Sequence, residues 1–269
     1  MPLAALTSAL ALFHDLALPT PHAKTVDRAS ATPIVIYGLS TAIGAYALKL
    51  AVAANIHPII AIGSSTSEFL REYIDPSKGD AMIDYKQFKN PADLTEVIND
   101  ALDEAGGGPA RHGFDAVTKP GTYFPVMCDV LKRGARPVNG NHATESGGKD
   151  DRPRLVVAMP GIDTSAIPKS IKLVWVGTSK VHTGDAADRQ FGTVWTRLLA
   201  DGLRDGWLTP HPHEVMEGGL AGLEDGLKRL RNDKVKGKKL VGRIADTPGL
   251  GRERLLDCGR DKQEGRGVV

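Results

Sequence analysis

The stretch that decides the fold is Thr32–Ser67, TPIVIYGLSTAIGAYALKLAVAANIHPIIAIGSSTS. It opens with an apolar run without alternation, Ile34–Tyr37, as expected of a strand that is covered on both faces. A glycine turn follows, and apolar residues then recur at helical spacing from Gly44 to Asn55. A second apolar run occupies His57–Gly63. The stretch predicts two parallel strands joined by a crossover helix, a unit that can bind a dinucleotide pyrophosphate at its helix N-terminus.

The glycine turn departs from the usual G-x-G-x-x-G pattern: if Gly44 is its last glycine, Leu39 and Thr41 occupy the other two places. What remains is Gly38, Thr41 and Gly44 at spacings of three. Gly44 still permits close packing of the helix on the strand. The predicted phosphate contacts are the backbone amides of Ser40, Thr41, Ala42 and Ile43. Gly38 and Gly44 complete the predicted cofactor-binding turn. The alternative is an ordinary strand–helix–strand unit with a glycine turn and no ligand.

The residues at the end of the second predicted strand indicate which of the two nicotinamide cofactors is bound. An NAD site usually has an acidic residue about 20 residues beyond the glycines. Hydroxyl side chains stand there instead, at Ser64, Ser65, Thr66 and Ser67. A carboxylate would repel a 2′-phosphate, whereas hydroxyls and amides can donate hydrogen bonds to it, so the sequence favours NADPH. A serine-rich helix cap explains the same residues, and both interpretations can hold. Arg71 is the nearest cation.

Composition excludes several classes of protein. The chain has 269 residues, 41% apolar and 25% charged, with a net charge of +2, which predicts neither nucleic acid nor a membrane as partner. Cys128 and Cys258 are too few for a disulfide framework or a structural zinc site, so we expect no metal and a reducing, cytoplasmic location. The apolar start, Pro2–Leu18, lacks a basic region and a cleavage signature, and predicts a helix packed beside the first strand.

Strands and helices alternate along the rest of the chain. Further strands are predicted over 81–85, 114–117, 155–159 and 171–177, and helices over 66–74, 91–104, 123–133 and 191–207. Such alternation predicts an α/β fold with a mostly parallel, doubly wound sheet and right-handed crossovers. A closing helix over 220–230 and a last strand over 239–244 follow. The HPH pair of His211 and His213 is interpreted as a surface connector rather than a metal site.

Several stretches together resemble a known family. They are YGLSTAIGAYALKLA, HPIIAIGSS, GDAMIDYK, FDAVTKPGTYFPVMCDVLK, LVVAMPG, IKLVWVG, FGTVWTRLLADGLRDGWLTPHPHEVMEGGLAGLEDGLKRL and GKKLVGRI. In this order they resemble the cofactor half of medium-chain dehydrogenases/reductases, in the zinc-independent fungal branch of trans-acting enoyl reductases and quinone-oxidoreductase-like proteins. The resemblance covers roughly residues 1–245. It implies a Rossmann sheet, NADPH and hydride transfer to an activated double bond or carbonyl.

The resemblance also implies further cofactor contacts. Tyr85 matches a tyrosine beside the adenosine ribose phosphate. Ala158 and Met159 match positions beside the nicotinamide ribose. Further matches near the nicotinamide and at a C-terminal contact are Val176, Gly177, Thr178, Val241 and Gly242. The family often forms homodimers across the strand that 171–177 matches, which implies a possible homodimer through this edge.

Three regions are expected. Residues 1–30 form a leading helix and linker, 31–246 a Rossmann dinucleotide-binding domain with its closing helix and strand, and 247–269 a flexible tail. Within the domain, 134–154 is polar and should be disordered, either as a real surface insertion or as a gene-model error such as a retained intron. By resemblance, the usual N-terminal GroES-like catalytic domain is missing, so we can name no catalytic side chain.

Two functions remain open. The first is a zinc-independent NADPH-dependent oxidoreductase of the enoyl reductase or quinone reductase type, acting on a small-molecule substrate. The second is a non-catalytic NADPH-binding remnant or regulatory binder. Since the cofactor carries the hydride and the protein orients it, activity depends on a substrate pocket that the resemblance places in the missing domain.

Overall fold

Six parallel strands form the main sheet, in the order β3–β2–β1–β4–β5–β6. They are β1 (Ile34–Tyr37), β2 (Ile59–Gly63), β3 (Ala81–Asp84), β4 (His112–Asp115), β5 (Arg154–Val157) and β6 (Lys172–Trp175). The order reverses between β1 and β4, so the carboxyl ends of these two strands open the crevice in which such sheets bind ligands. The predicted doubly wound α/β fold is confirmed.

The computed structural model describes residues 2–21, 32–118, 124–135, 150–159 and 163–250. It divides into two compact units, Met1–His211 and Pro212–Val269. The predicted linker beyond residue 21, residues 136–149 of the predicted insertion and the tail beyond residue 250 lie outside the described residues. Both ends of the predicted insertion are described, and its last residue, Arg154, begins β5.

Seven helices are described. They are α1 (Pro2–Ala9), α2 (Ala42–Ala53), α3 (Pro91–Glu104), α4 (Phe124–Arg133), α5 (Lys180–Thr183), α6 (Ala186–Arg204) and α7 (Leu223–Arg231). A π-helical turn, Leu10–Asp15, continues α1, and a 3₁₀ helix, Ser65–Tyr73, follows β2. Helix α6 begins five residues before the predicted start, because the Asp185 side chain accepts from the amide of Asp188 and caps it there.

Strand β4 begins and ends two residues before its predicted bounds, and its end has a clear cause. The Asp115 carboxylate accepts hydrogen bonds from the amides of Val117 and Thr118, both at 2.9 Å. These bonds turn the chain away from the sheet directly after Asp115, so the apolar residues that follow cannot extend the strand.

The two faces of the sheet carry separate cores. Ile34 and Ile36 pack in one core with residues of α1, the π-helical turn, α2 and α6. Val35 and Tyr37, the alternate residues of the same strand, pack in the other core with α3 and α4. Because successive side chains of a strand point to opposite faces, an unbroken apolar run is what a sheet covered on both sides requires.

The leading helix packs chiefly on the crossover helix rather than directly beside the first strand. The hydroxyl of Ser8 donates to the carbonyl of Ile43 at 2.7 Å, and Phe13 stacks on Trp195 of α6 with ring centroids 4.5 Å apart. Its apolar residues therefore complete the core on one face of the sheet, which explains the apolar start of the chain.

A buried lysine holds the last segment of the first unit. The ammonium of Lys49, on α2, donates to the hydroxyl of Thr209 at 2.6 Å and to two backbone carbonyls of the same segment. The amide of His211 donates to the Tyr46 hydroxyl at 3.1 Å, and His211 is only 5% exposed. The prediction of a surface connector is therefore wrong for His211, because α2 draws this segment into the core.

The second unit contains a small parallel pair of strands. β7 (His213–Met216), which the sequence did not predict, pairs with β8 (Lys239–Gly242), and α7 connects them. The last strand ends two residues before its predicted bound. Leucines at helical spacing on α7 are exposed, with Leu227 at 65%.

Among the described residues, no helix combines the length and apolar character that crossing a membrane requires.

Candidate functional site

The glycine turn after β1 is the most constrained part of the crevice. Gly38 has a φ of +93°, which other residues rarely adopt. A Cβ atom at Gly44 would lie 2.3 Å from the carbonyl oxygen of Gly38, so helix and strand can approach this closely only at a glycine. The predicted role of Gly44 in close packing is confirmed.

Thr41 caps α2 and uses its own polar groups within the turn. Its hydroxyl donates to the Gly38 carbonyl at 2.8 Å and accepts from the Gly44 amide at 2.9 Å, while its amide donates to the Gly38 carbonyl at 3.0 Å. The amides of Ala42 and Ile43 stand at the first helical positions, which have no acceptor within the helix. Of the predicted phosphate contacts, these two fit an anion best, and Thr41 and Gly44 shape the turn.

The hydroxyl cluster after β2 serves partly as a helix cap. Ser67 is fully buried and its hydroxyl accepts from the amide of Ser64 at 3.3 Å, while the hydroxyls of Ser64 and Thr66 bond each other at 2.8 Å. Gly63 permits this arrangement, because a Cβ there would lie 2.4 Å from the Ser67 hydroxyl oxygen. Ser65 is the exposed member and faces a cleft.

That cleft, with a volume of about 350 Å³, lies beyond the carboxyl ends of β2 and β3. Ser64 and Ser65 line it together with three charged side chains, Glu68, Arg71 and Asp84. Glu68 and Asp84 are not among the site residues that the sequence predicts. Strand pairing could have found Asp84, because Gly63 and Asp84 are register partners at the ends of β2 and β3.

Tyr85 directly follows β3, where its ring centroid lies 5.8 Å from that of Tyr37 at the end of β1. It packs against the core that contains α3 and α4. Its predicted place beside the adenosine ribose phosphate stays a prediction, and its contact with the Tyr37 ring supports the strand-end role that its position also indicates.

A buried carboxylate lies at the end of β4, the strand that pairs with β1 on the other side from β2. Asp115 ends β4, and its burial raises the pKa of the carboxyl above its usual value, although hydrogen bonds from Thr118 and Val117 oppose this. The Thr118 hydroxyl donates to the Asp115 carbonyl at 3.0 Å and lies 3.3 Å from the Ala158 amide. This chain of contacts fixes the start of the loop after β5.

The predicted nicotinamide contacts come together at the same edge of the sheet. Val157 and Trp175 are register partners, so Ala158 and Met159 after β5 lie beside the residues that follow β6. Those residues are Val176, which is buried, Gly177, which is exposed, and Thr178. Met159 is 53% exposed.

The predicted C-terminal contact lies in the second unit. Val241 and Gly242 are on β8, where their register partners are Val215 and Met216. As cofactor contacts, these two residues stay a prediction.

The described residues contain no group of three or more His, Cys, Asp or Glu side chains that could hold a metal ion.

The reversal of strand order and the glycine turn before α2 define a doubly wound parallel α/β domain with a Rossmann-type sheet. No protein-family model matches the chain. The chain is 35% identical over 222 residues to the trans-enoyl reductase fsr4 of Gibberella fujikuroi, covering 82% of this chain and 58% of that protein. It is 26% identical over 244 residues to the trans-enoyl reductase FSL5 of Gibberella zeae, covering 87% and 60%.

Solved structures share the fold at lower identity. The CurK enoyl reductase has a TM-score of 0.61 at 16% identity, over 90% of this chain and 60% of that chain. An enoyl thioester reductase from Candida tropicalis, in a mutant form, has a TM-score of 0.57 at 15% identity, over the same shares. The chain is a homologue of the trans-enoyl reductases, with the fold of medium-chain dehydrogenases/reductases. It spans about 60% of the length of these relatives.

Proposed function

We propose that the chain binds NADPH and serves an oxidoreductase of the enoyl reductase type. The observation that carries the proposal is the turn at Gly38–Gly44, which presents the amides of Ala42 and Ile43 at the strand-order reversal. Helix N-termini of this kind bind the pyrophosphate of dinucleotides. The names of the relatives supply the reaction class, and one solved structure of this fold is a complex with NADP and crotonyl-CoA.

The residues of the crevice fit such a cofactor in three parts. Ala42 and Ile43 would hold the pyrophosphate, Ser65 and Arg71 the phosphorylated ribose of the adenosine end, and Ala158 the nicotinamide end. The reduced nicotinamide supplies a hydride when it is bound. The chain's own contribution at this edge is orientation, because Thr118 and Asp115 fix the backbone at Ala158.

Calorimetric titration of the chain with NADPH and with NADH tests cofactor binding. We expect NADPH to bind more tightly, because the end of β2 presents a hydroxyl and a guanidinium where an NAD site has an acid. A matched variant, Ala42→Pro, lacks one of the two amides that face the phosphate, and proline is tolerated at the first helical position. We expect it to fold and to bind both cofactors more weakly. Equal binding by the variant would contradict the pyrophosphate site.

A second candidate function is cofactor binding without turnover. The exposure of Met159 and Gly177 favours it, since hydride transfer needs a dry site in which donor and acceptor carbons are held at about 3–3.5 Å. An assay of NADPH oxidation with enoyl thioesters, enones and quinones separates the two candidates. Turnover above about 1 s⁻¹, the lower end of ordinary enzymes, establishes the reductase. Binding without turnover establishes the second candidate.

A further inference from the structure

Among the described residues that line the cleft beyond β2 and β3, Arg71 is the one cation. Its guanidinium is engaged by Glu68: Nη2 donates to Oε2 at 3.0 Å, and Nε donates to Oε1 in a second, parallel bond. Both side chains are largely exposed and line the same cleft. The guanidinium that could bind a phosphate through two parallel hydrogen bonds therefore already binds a carboxylate.

The local backbone imposes this pair. Glu68 and Arg71 lie three residues apart in the 3₁₀ helix Ser65–Tyr73. In a 3₁₀ helix, side chains at this spacing eclipse each other, so the carboxylate and the guanidinium project from the same side of the helix. An exposed glutamate is ionised at neutral pH, and the hydrogen bonds from Arg71 lower the pKa of the Glu68 carboxyl further.

We propose that Glu68 is a specificity-determining residue, which occupies Arg71 and so restrains the preference of this chain for a 2′-phosphorylated dinucleotide. The inference rests on the proposed function, and deepens it at the same cleft. A 2′-phosphate that enters the cleft has to share or displace a bidentate carboxylate, and meets its negative charge. A dinucleotide with a free 2′-hydroxyl meets no such competition. Glu68 therefore weakens the binding of the 2′-phosphorylated cofactor selectively.

Asp84, the other carboxylate of the cleft, has a different task. Its Oδ1 accepts from the amide of Lys86 at 3.0 Å and caps the short helical turn after β3. The hydroxyls of Ser64 and Thr66 are bonded to each other. Glu68 is therefore the carboxylate of the cleft that hydrogen-bonds Arg71, the cation that a phosphate would use.

The experiment compares the dissociation constants of NADPH, NADH and the fragment 2′,5′-ADP in the full chain and in Glu68→Gln. The amide removes the charge and keeps the shape of the side chain. We expect NADPH and 2′,5′-ADP to bind about fivefold more tightly, the scale of an exposed ion pair, and NADH to be unchanged. Asp201→Asn is the matched control, because Asp201 forms an exposed ion pair with Arg204 at the same spacing on α6.

A double variant, Glu68→Gln with Arg71→Gln, tests whether the gain passes through Arg71. We expect the gain for NADPH to vanish in it. An equal gain for NADH, an equal gain in Asp201→Asn, or a gain that survives without Arg71 would overturn the proposal while leaving NADPH binding intact. Absence of binding by every ligand to every variant would instead overturn the proposed function, and the role of Glu68 with it.

Discussion

At the scale of single residues, Gly44 is a position at which the backbone leaves no room for a methyl group. Its Cβ would meet the backbone of Gly38 at 2.3 Å and that of Leu39 at 3.1 Å, and backbone cannot move aside as a flexible side chain can. We expect Gly44→Ala to lower the free energy of unfolding by at least about 1–3 kcal/mol, as overpacking does. Urea denaturation measures this.

Gly177→Ala is the control for that substitution. The nearest atom to its added Cβ would be the Ser179 hydroxyl oxygen at 3.9 Å, an ordinary contact, so stability should change little. Equal stability of both variants would mean that α2 does not pack on β1 as described.

His112, at the start of β4, makes stability depend on pH. Its burial, together with the nearby charges of Arg154 and Arg111, lowers the pKa of the imidazole to about 4, although a hydrogen bond with Pro33 opposes this. The unfolded imidazole titrates near 6.5. The stabilising contribution is therefore complete above pH 6.5 and is lost as the pH falls towards 4, because the unfolded chain takes up the proton first.

His112→Gln should remove this dependence. When the pH falls from 7.5 to 4, the free energy of unfolding should decrease in both proteins. We expect the decrease to be smaller in the variant by up to about 3 kcal/mol, which is the contribution of the shifted pKa of His112. Denaturation curves at several pH values supply the comparison, and parallel losses in both proteins would show that His112 is not responsible.

At the scale of elements, the predicted self-association through residues 171–177 stays a prediction, and β6 shows how to test it. The amides of Lys172 and Val176 donate to β5, so the amides of Leu173 and Trp175 point to the open edge. Trp175→Pro removes an outward donor without breaking a bond to β5. We expect a dimer of the parent chain in sedimentation velocity, and a weaker one in this variant than in Trp175→Ala. A monomeric parent chain would exclude the edge as an interface.

At the scale of the whole molecule, the two units differ in how deeply they are packed. Every residue of β1 is buried, whereas β8 has no buried residue and Val241 is 40% exposed. Local opening follows the number of buried apolar contacts, so hydrogen exchange should be much slower in β1 than in β8. Exchange measured by mass spectrometry on peptides from the two strands checks this, and equal protection would contradict the difference in packing.

The sequence predicts an element well where local signals determine it, and poorly where contacts between distant residues do. Pro91–Glu104 was predicted with its bounds, because apolar residues at helical spacing follow Asn90, whose side chain caps the helix. β7 is not predicted, because its sequence HEVM has too few apolar residues to indicate a strand. The strand depends on its pairing with β8. Asp84 and the burial of His211 were missed for a related reason: strand register and the contact with α2 create them, and neither is visible along the chain.

Chemical modification of Lys49 can report when the last segment of the first unit detaches from α2. Lys49 is only 4% exposed, and burial lowers the pKa of its amine. Amine-reactive reagents should therefore modify Lys132, whose side chain is 49% exposed, quickly in the native protein and leave Lys49 unmodified until the segment at Thr209 comes away from α2. Mass spectrometry at increasing urea measures the two labelling rates. We expect labelling of Lys49 to rise only with global unfolding. Labelling of Lys49 together with Lys132 before global unfolding would show that the segment detaches on its own.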